Sequence, residues 1–352
     1  MSTSKLFQPI TVGLVLAPLT RLRVNPTTLV PLLPVVKDYY AQRAKIPGTL
    51  LVTEGTIIAP KASGYPSVPE IVTGEQIAAW KEIVDGMQLG AVGRQALPDN
   101  LKSRDPTFPH VGASALLPAP GAPVPRAISK EEIKEHIDFF GIAAANAVHK
   151  AGFDGVEIHG AHGFLVDEFI QSVSNVRDDE YGGSLENRVR FPLEVIGRVA
   201  EVVGADRVGL RLSPWNRGVG MRMEDPIPNF SHLVSRVKEL YPDLAYIHVV
   251  ETRVDGTADV APEDIKEFET NDFIRKIWAP KPFISAGGYT RESGIMTADE
   301  KGDLIAYGRW YISNPGLPVR LEKNIPLTKY DGSTFYVSGD TSGVGFIDYP
   351  FA

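Results

Sequence analysis

Short, continuously apolar stretches alternate with helical patterns along the chain, and this alternation constrains the fold more than any other feature. Strands are predicted at residues 14–17, 49–53, 155–158, 208–212, 245–250, 283–286 and 304–307. Strands that are apolar throughout and separated by helices are typical of a parallel sheet covered on both faces. Together with a compressed third strand near residue 90, they predict one α/β domain, a (β/α)8 TIM barrel over residues 1–352.

Helix start and stop signals agree with this order. Thr73 with Gln76, and Ser129 with Glu132, form capping-box patterns at the starts of two predicted helices. Gly152 supplies the second of these helices with a C-terminal stop. Further helices are predicted at residues 28–43, 185–203, 230–240 and 273–278.

Composition argues against several classes of function. The net charge is −7 without a basic cluster, which argues against nucleic-acid binding. No long apolar run predicts a membrane span, and the first residues lack a secretory pattern, so a cytoplasmic location is expected. Cysteine is absent, which excludes disulfides, thiolate nucleophiles and cysteine-ligated metals.

The stretch GVEIHGAHGF at residues 155–164 carries the most distinctive chemistry. His159 and His162 follow a predicted strand among glycines, where two imidazoles can donate hydrogen bonds to a carbonyl oxygen or a phenolate. A metal site and a structural pair are the alternatives. Glu54 and Glu251 are the candidates for a third metal ligand, but no HExxH pattern supports them, so no metal is predicted.

Glycines follow the last two predicted strands. Gly287-Gly288 and Gly308 leave backbone N–H groups open to a phosphate, and Arg309 adds a positive charge. These two loops are the usual phosphate site of such barrels. The alternative is a pair of tight turns.

Arg211 lies inside the apolar stretch GLRL. A barrel interior does not tolerate an unpaired cation, so Arg211 is expected to face an anion or an electron-rich oxygen. A structural ion pair with Glu157 or Glu54 is the alternative.

A long block at residues 155–190, with HGAHGF, DEF and SNVRDDEYGGSLENR, resembles the Old Yellow Enzyme family of FMN-dependent ene-reductases, in particular its fungal members. Other matching segments are APLTR (17–21), TEGT (53–56), LSPW (212–215), GMRM (220–223), AGGY (286–289), YGR (307–309), SNP (313–315) and DYPF (348–351). The resemblance implies a TIM barrel with FMN as cofactor and NAD(P)H as reductant. It also implies a small-molecule substrate, an enone or enal, and leaves monomer and homodimer open.

The resemblance further implies roles for individual residues. His159 and His162 would bind the substrate oxygen and polarise the double bond, and Tyr336 would lie nearby. Arg211 would lie by N1 and the C2 carbonyl of the flavin. The residues implied in FMN binding are Pro18, Leu19, Thr20, Gly55, Gln88, Arg211, Gly287, Gly288, Gly308 and Arg309.

Phe164 departs from the family pattern at a catalytic position. Most members have tyrosine there, whose hydroxyl protonates the α-carbon of the substrate. Loss of general-acid help typically costs about 10²–10⁴-fold in rate. Isomerisation of an enal or enone, in fungal secondary metabolism, is therefore a second hypothesis, beside a packing change with protonation from solvent.

Two scaffold segments are also shortened relative to the family, an N-terminal hairpin before Leu14 and the third strand. A missing strand would leave neighbouring backbone groups unpaired and the sheet open. Residues 86–92 are therefore expected to extend and complete the barrel, with Gln88 displaced. A flavin-free barrel without redox activity is the third hypothesis.

Overall fold

The computed structural model describes residue 6 and residues 13–62, 65–85, 89–94, 105, 107–116, 123–256 and 258–351. In these ranges eight parallel strands form a closed barrel, in which each strand pairs with the next and β8 pairs with β1. The strands are β1 (Leu14–Leu16), β2 (Thr49–Ile57), β3 (Leu89–Arg94), β4 (Gly155–Gly160), β5 (Val208–Leu212), β6 (Tyr246–Val250), β7 (Phe283–Ala286) and β8 (Leu304–Tyr307). The predicted TIM barrel is confirmed.

The third strand closes the barrel. It has six residues, an ordinary strand length, and pairs with β2 on one side and β4 on the other. The four residues of β2 from Val52 to Gly55 lie opposite the three residues of β3 from Gly90 to Val92, so β2 carries one extra residue there. The expected extension is thus confirmed for residues 89–92. The N-terminal hairpin and Gln88 lie outside the described residues.

Helices pack on the outside of the barrel. Their bounds are Val35–Arg43, Gly74–Val84, Lys130–Ala145, Leu165–Ile170, Leu185–Arg188, Arg190–Val203, Ile227–Leu240, Asp272–Trp278, Arg291–Lys301, Arg309–Ser313 and Leu317–Glu322. Both predicted capping boxes form, at Thr73 and at Ser129. Within the described ranges, no helix has the length and apolar character needed to cross a membrane.

Two predicted helices differ from the structure. The helix expected from residue 28 begins only at Val35, because Pro31 and Pro34 lack the N–H groups that a continuous helix requires. The helix expected over residues 185–203 is divided at Val189 into two segments. The helix that begins at Lys130 continues into a π-helical turn and ends at Gly152, whose φ is +86°.

The barrel interior is apolar on one side and polar on the other. The apolar side is a buried cluster made of Val15, Ala17, Val52, Ile284, Ala286 and Ala306. On the polar side, strands β4–β6 contribute Glu157, His159, Arg211, Tyr246 and His248. His159 and Arg211 therefore belong to the polar side of the interior, and His162 follows the carboxyl end of the strand that carries His159.

Asp303 links the C-terminal strands of the barrel to the helices that surround it. Its buried carboxylate accepts hydrogen bonds from Nε and Nη2 of Arg275, at 2.7 and 2.6 Å, and from Oγ of Ser285, at 2.8 Å. Arg275 lies on the helix Asp272–Trp278 and Ser285 lies on β7. One carboxylate thus joins a helix to the sheet.

We predict that Asp303→Ala lowers the free energy of unfolding by about 3 kcal/mol, because it leaves a largely buried guanidinium without its bidentate partner. The measurement is equilibrium unfolding in urea. Asp138→Ala is the control: its carboxylate is exposed and pairs with Arg198 at 3.2 Å, so a loss below about 1 kcal/mol is expected. Equal losses in the two variants would contradict the assignment.

Candidate active site

His159 and His162 lie at the carboxyl end of β4, with ring centroids 5.8 Å apart. His159 is buried and is the penultimate residue of the strand, whereas His162 is half-buried in the turn that follows. The backbone of His162 is left-handed, with φ of +56°, and its N–H donates to Oγ of Ser213 at 2.8 Å. Backbone of this kind is uncommon outside glycine, and here the hydrogen bond from the neighbouring strand end supports it.

Phe164 lies against this histidine pair. Its ring centroid is 4.8 Å from that of His159 and 6.4 Å from that of Tyr65. The predicted catalytic position, where the resemblance implies a tyrosine in most members of the family, is therefore occupied by a ring that has no hydroxyl. Tyr65 was missed in the sequence, where no motif marks it.

Arg211 lies opposite His159 on one side and opposite His248 on the other in the strand register. Burial lowers the pKa of Arg211, while the charge of Glu157 opposes that shift. Among the described residues, Nε of Arg211 has no hydrogen-bond partner. Arg211 is thus a buried donor without a direct partner at that nitrogen, which fits an electron-rich acceptor such as the edge of a flavin.

The carboxylates considered as structural partners of Arg211 are hydrogen-bonded elsewhere. Oε2 of Glu157 accepts from Nδ1 of His248 at 2.8 Å and from the hydroxyl of Tyr246 at 3.1 Å. Burial acts to raise the pKa of Glu157, but His248 and Arg211 outweigh it and hold this pKa below its usual value. Burial lowers the pKa of His248, while the charge of Glu157 and the hydrogen bond to it oppose that shift.

Glu54, the other candidate, serves the backbone after β1. Its Oε2 accepts from the backbone N–H groups of Arg21 and Leu22, at 2.9 and 3.2 Å. This carboxylate therefore anchors the segment that carries Pro18, Leu19 and Thr20, which is half-buried at the end of β1.

Gly287 and Gly288 form a tight, left-handed segment after β7, with φ values of +112° and +65°. A Cβ on Gly287 would come within 2.8 Å of Val254, and one on Gly288 within 3.1 Å of Arg253. Only glycine fits this cradle without displacing a neighbour, as a close approach of backbone to phosphate requires.

Arg253 is a cation that the sequence reading missed at this cradle. Its Nε donates to the carbonyl of Gly287 at 3.0 Å, and its guanidinium lies 4.3 Å from the ring centroid of Tyr289. Among the described residues, its buried Nη2 has no hydrogen-bond partner. The available signal was its place just after β6, beside the predicted phosphate loop.

Gly308 and Arg309 follow β8. A Cβ on Gly308 would come within 3.2 Å of Leu19, which brings two of the predicted FMN-binding residues together. Nη1 of Arg309 donates to Asp259 at 3.1 Å, and its guanidinium lies 5.4 Å from the ring centroid of Tyr330. The pKa of Arg309 is raised, chiefly because its guanidinium donates a hydrogen bond to Asp259.

One predicted residue lies elsewhere than expected. Gly55 is inside β2, opposite Val92, and not after the end of the strand. Tyr336 is half-exposed, and its ring centroid lies 6.2 Å from that of Phe335. In the part of the chain that the structure describes, no group of three histidine, aspartate or glutamate side chains is arranged for a metal ion.

Comparisons with known proteins agree with this geometry. The model of the NADH:flavin oxidoreductase / NADH oxidase family matches residues 5–328. A chanoclavine-I aldehyde reductase of Penicillium roqueforti is 46% identical over 369 residues, covering 99% of this chain and 97% of that protein. A probable inactive reductase of Epichloe festucae var. lolii is 45% identical over 374 residues, covering 100% and 96%. The crystal structure of Old Yellow Enzyme from Pichia sp. has a TM-score of 0.85 at 35% identity, covering 99% of this chain and 94% of that one.

Two acidic residues follow shortly after Phe164: Asp167, which is buried, and Glu168, which is half-buried. Burial raises the pKa of each to about 7. Asp167 accepts from the backbone N–H of Gly163 and from Nε2 of Gln171, both at 2.9 Å, so it braces the turn that carries His162. The folded state thus holds the proton of Asp167 to a higher pH than the unfolded chain does.

We predict that Asp167→Asn changes the pH dependence of stability. Between about pH 4 and about pH 7 the carboxyl of Asp167 is ionised in the unfolded chain but still protonated in the folded one. The wild type therefore loses stability as the pH rises through this range, and the variant lacks that loss. The difference should reach up to about 4 kcal/mol, measured by urea unfolding across the range. In the control Glu132→Gln, Arg126 lowers the pKa of the replaced carboxyl to about 2, so the difference from wild type should stay constant above about pH 5. A constant difference for Asp167→Asn would contradict the assignment.

Proposed function

The chain belongs to the NADH:flavin oxidoreductase / NADH oxidase family, and we propose that it reduces the C=C bond of an α,β-unsaturated aldehyde or ketone. As a family member it is an NAD(P)H-dependent oxidoreductase of the Old Yellow Enzyme type, with FMN as its cofactor and a small molecule as its substrate. The observation that carries the proposal is the histidine pair at the same barrel face as Arg211 and the glycine cradle.

The residues of the chain fit FMN at this face. Gly287, Gly288, Gly308 and Arg309, joined by Arg253, would hold the phosphate. Pro18, Leu19, Thr20 and Gly55 would contact the ring, and the unpartnered Nε of Arg211 would serve its electron-rich edge. We also propose that Gln88 forms a hydrogen bond with the pyrimidine edge of the flavin. Bound FMN supplies the hydride acceptor and donor of the reaction.

The protein would orient the substrate and polarise it. His159 and His162 would hold the substrate oxygen, so that negative charge developing on it is stabilised, and Tyr336 would lie at the rim.

We include in the proposal a single barrel domain over residues 1–352, a cytoplasmic location, either a monomer or a homodimer, and no metal, nucleic-acid or membrane partner.

Isomerisation of an enal or enone is the second candidate, and the position of Phe164 favours it. Its ring lies 4.8 Å from that of His159, where the family usually places a tyrosine hydroxyl. Without a proton donor there, a substrate that has received a hydride persists longer before protonation, which allows the hydride to return after rearrangement.

The proposed reduction is tested with FMN-loaded protein, NADPH and an enal under anaerobic conditions. We expect NADPH oxidation together with a stoichiometric saturated aldehyde, identified by mass and NMR. A flavin-loaded protein that oxidises no NADPH and forms no saturated product would contradict the proposal. An isomerised enal without net NADPH consumption would favour the second candidate.

Phe164→Tyr separates the two candidates. The added hydroxyl should increase formation of the saturated product, by a factor of up to about 10²–10⁴ if proton transfer limits the rate. Phe164→Leu is the matched control, because it alters the packing against His159 without adding an acid. If tyrosine and leucine change the product ratio equally, proton supply at this position does not decide the reaction.

A further inference from the structure

A buried carboxylate, that of Glu157, lies next to Arg211 in the barrel interior. Glu157 is on β4, two residues before His159, and His159 lies opposite Arg211 in the strand register. Glu157 itself lies opposite Gly209, two residues before Arg211 on β5. Because a strand advances about 3.3 Å per residue, the two side chains belong to adjacent layers of the interior. Glu157 and Arg211 are thus neighbouring opposite charges inside the barrel.

Two side chains of β6 hold this carboxylate by reaching across β5. Gly209 lies between Glu157 and Tyr246 in the register, and a Cβ on Gly209 would come within 2.3 Å of the Tyr246 ring. Because Gly209 has no side chain, the Tyr246 ring fits there and its hydroxyl donates to Oε2 of Glu157 at 3.1 Å. Nδ1 of His248 lies 2.8 Å from the same oxygen. These two contacts fix the position of the carboxylate.

Glu157 offsets the charge of Arg211 without a hydrogen bond to Nε of that residue. Among the described residues, Oε1 of Glu157 and Nε of Arg211 both lack a hydrogen-bond partner, so these two atoms do not bond to each other. The described side chains across the interior form the apolar cluster that includes Val15 and Ile284. In such surroundings of low dielectric constant, one charge acts on another over several ångströms.

We propose that Glu157 lowers the midpoint potential of bound FMN by offsetting the positive charge of Arg211. The inference rests on the proposed function, in which Arg211 serves the electron-rich edge of the flavin. A hydride brings one negative charge to FMN, and a cation beside the ring stabilises that charge. With Arg211 offset, the reduced cofactor is less stabilised and gives its hydride more readily to an activated double bond. Glu157 acts through Arg211 and is therefore a positioning residue.

The midpoint potential of FMN-loaded protein tests the inference, measured without oxygen by reductive titration against a reference dye at pH 8. This pH lies above the ordinary pKa of both glutamate and histidine. Burial lowers the pKa of His248 further. Burial acts to raise the pKa of Glu157, but His248 and Arg211 outweigh it and hold this pKa below its usual value. At pH 8 the charge of the group that Glu157 forms with His248 and Tyr246 therefore lies on the carboxylate.

We expect Glu157→Gln to raise the ratio of reduced to oxidised FMN, at a fixed solution potential, about tenfold. A unit charge that acts over about 10 Å at an effective dielectric constant of about 20 has roughly this effect. For a two-electron couple, a tenfold change is a shift of about 30 mV. An unchanged or lower ratio in Glu157→Gln would overturn the inference. Wild-type protein that takes up no FMN would instead contradict the proposed function.

Tyr246→Phe is the matched control, because it removes a hydrogen bond from Glu157 and keeps the charge of the carboxylate. Glu157→Asp also keeps the charge. Both variants should stay close to the wild-type ratio of reduced to oxidised FMN. If either variant shifts this ratio as far as Glu157→Gln does, the loss of a polar contact and not the loss of charge causes the shift, and the inference fails.

The ionisation of Glu157 gives a second readout, which does not require Glu157→Gln to fold. It is measured by ¹³C NMR of FMN-loaded wild-type protein labelled at the glutamate carboxyl carbons, with Glu157→Asp to assign the signal. We expect an ionised carboxylate at pH 8. A protonated Glu157 carries no charge that could offset Arg211, so this result would overturn the inference.

Discussion

Backbone pairing of β3 with β2 and β4 closes the barrel, and the site depends on that closure. The pairing joins Leu89 to Leu51 of β2 and Gly90 to Gly155 of β4 in fixed register. A gap at this position would leave two strands with unpaired edges. With the barrel closed, the carboxyl ends of all strands face one side, so residues distant in sequence converge.

Buried charge on the polar side of the barrel then gives the site its chemistry. Glu157, His248 and Tyr246 form a hydrogen-bonded group on β4 and β6. Arg211 lies on β5, the strand between them, and its Nε has no hydrogen-bond partner among the described residues. Arg253 repeats this pattern at the glycine cradle, where its buried Nη2 also lacks a partner among the described residues. Buried donors are normally satisfied, and these two arginines lie beside the histidine pair and the glycine cradle, so we propose that they donate to the bound flavin.

The sequence predicted most clearly those elements that local chemistry alone determines. Strands at residues 208–212, 283–286 and 304–307 match Val208–Leu212, Phe283–Ala286 and Leu304–Tyr307, because each is an apolar run that ends at a serine or glycine. By contrast, β2 continues through Glu54 and Gly55 to Ile57, since backbone N–H groups after β1 satisfy the buried carboxylate. A long-range contact of that kind leaves no pattern in sequence.

The candidate site shows the same division. The histidine pair, Phe164 and the glycines were found from residues and from the family resemblance, and family and fold are confirmed. Arg253 was not found, because its place at the glycine cradle depends on a loop conformation that brings its guanidinium to the carbonyl of Gly287. Gln88 lies outside the described residues, and its role remains a prediction.

Each role proposed for these residues requires that the barrel holds FMN at the face that carries the histidine pair. The most direct test is the flavin content of the purified protein, from its absorbance spectrum and the mass of the flavin released on denaturation. We expect a yellow protein with about one FMN per chain, or stoichiometric uptake when FMN is added. A protein that stays colourless after incubation with excess FMN would contradict it and would favour a flavin-free barrel.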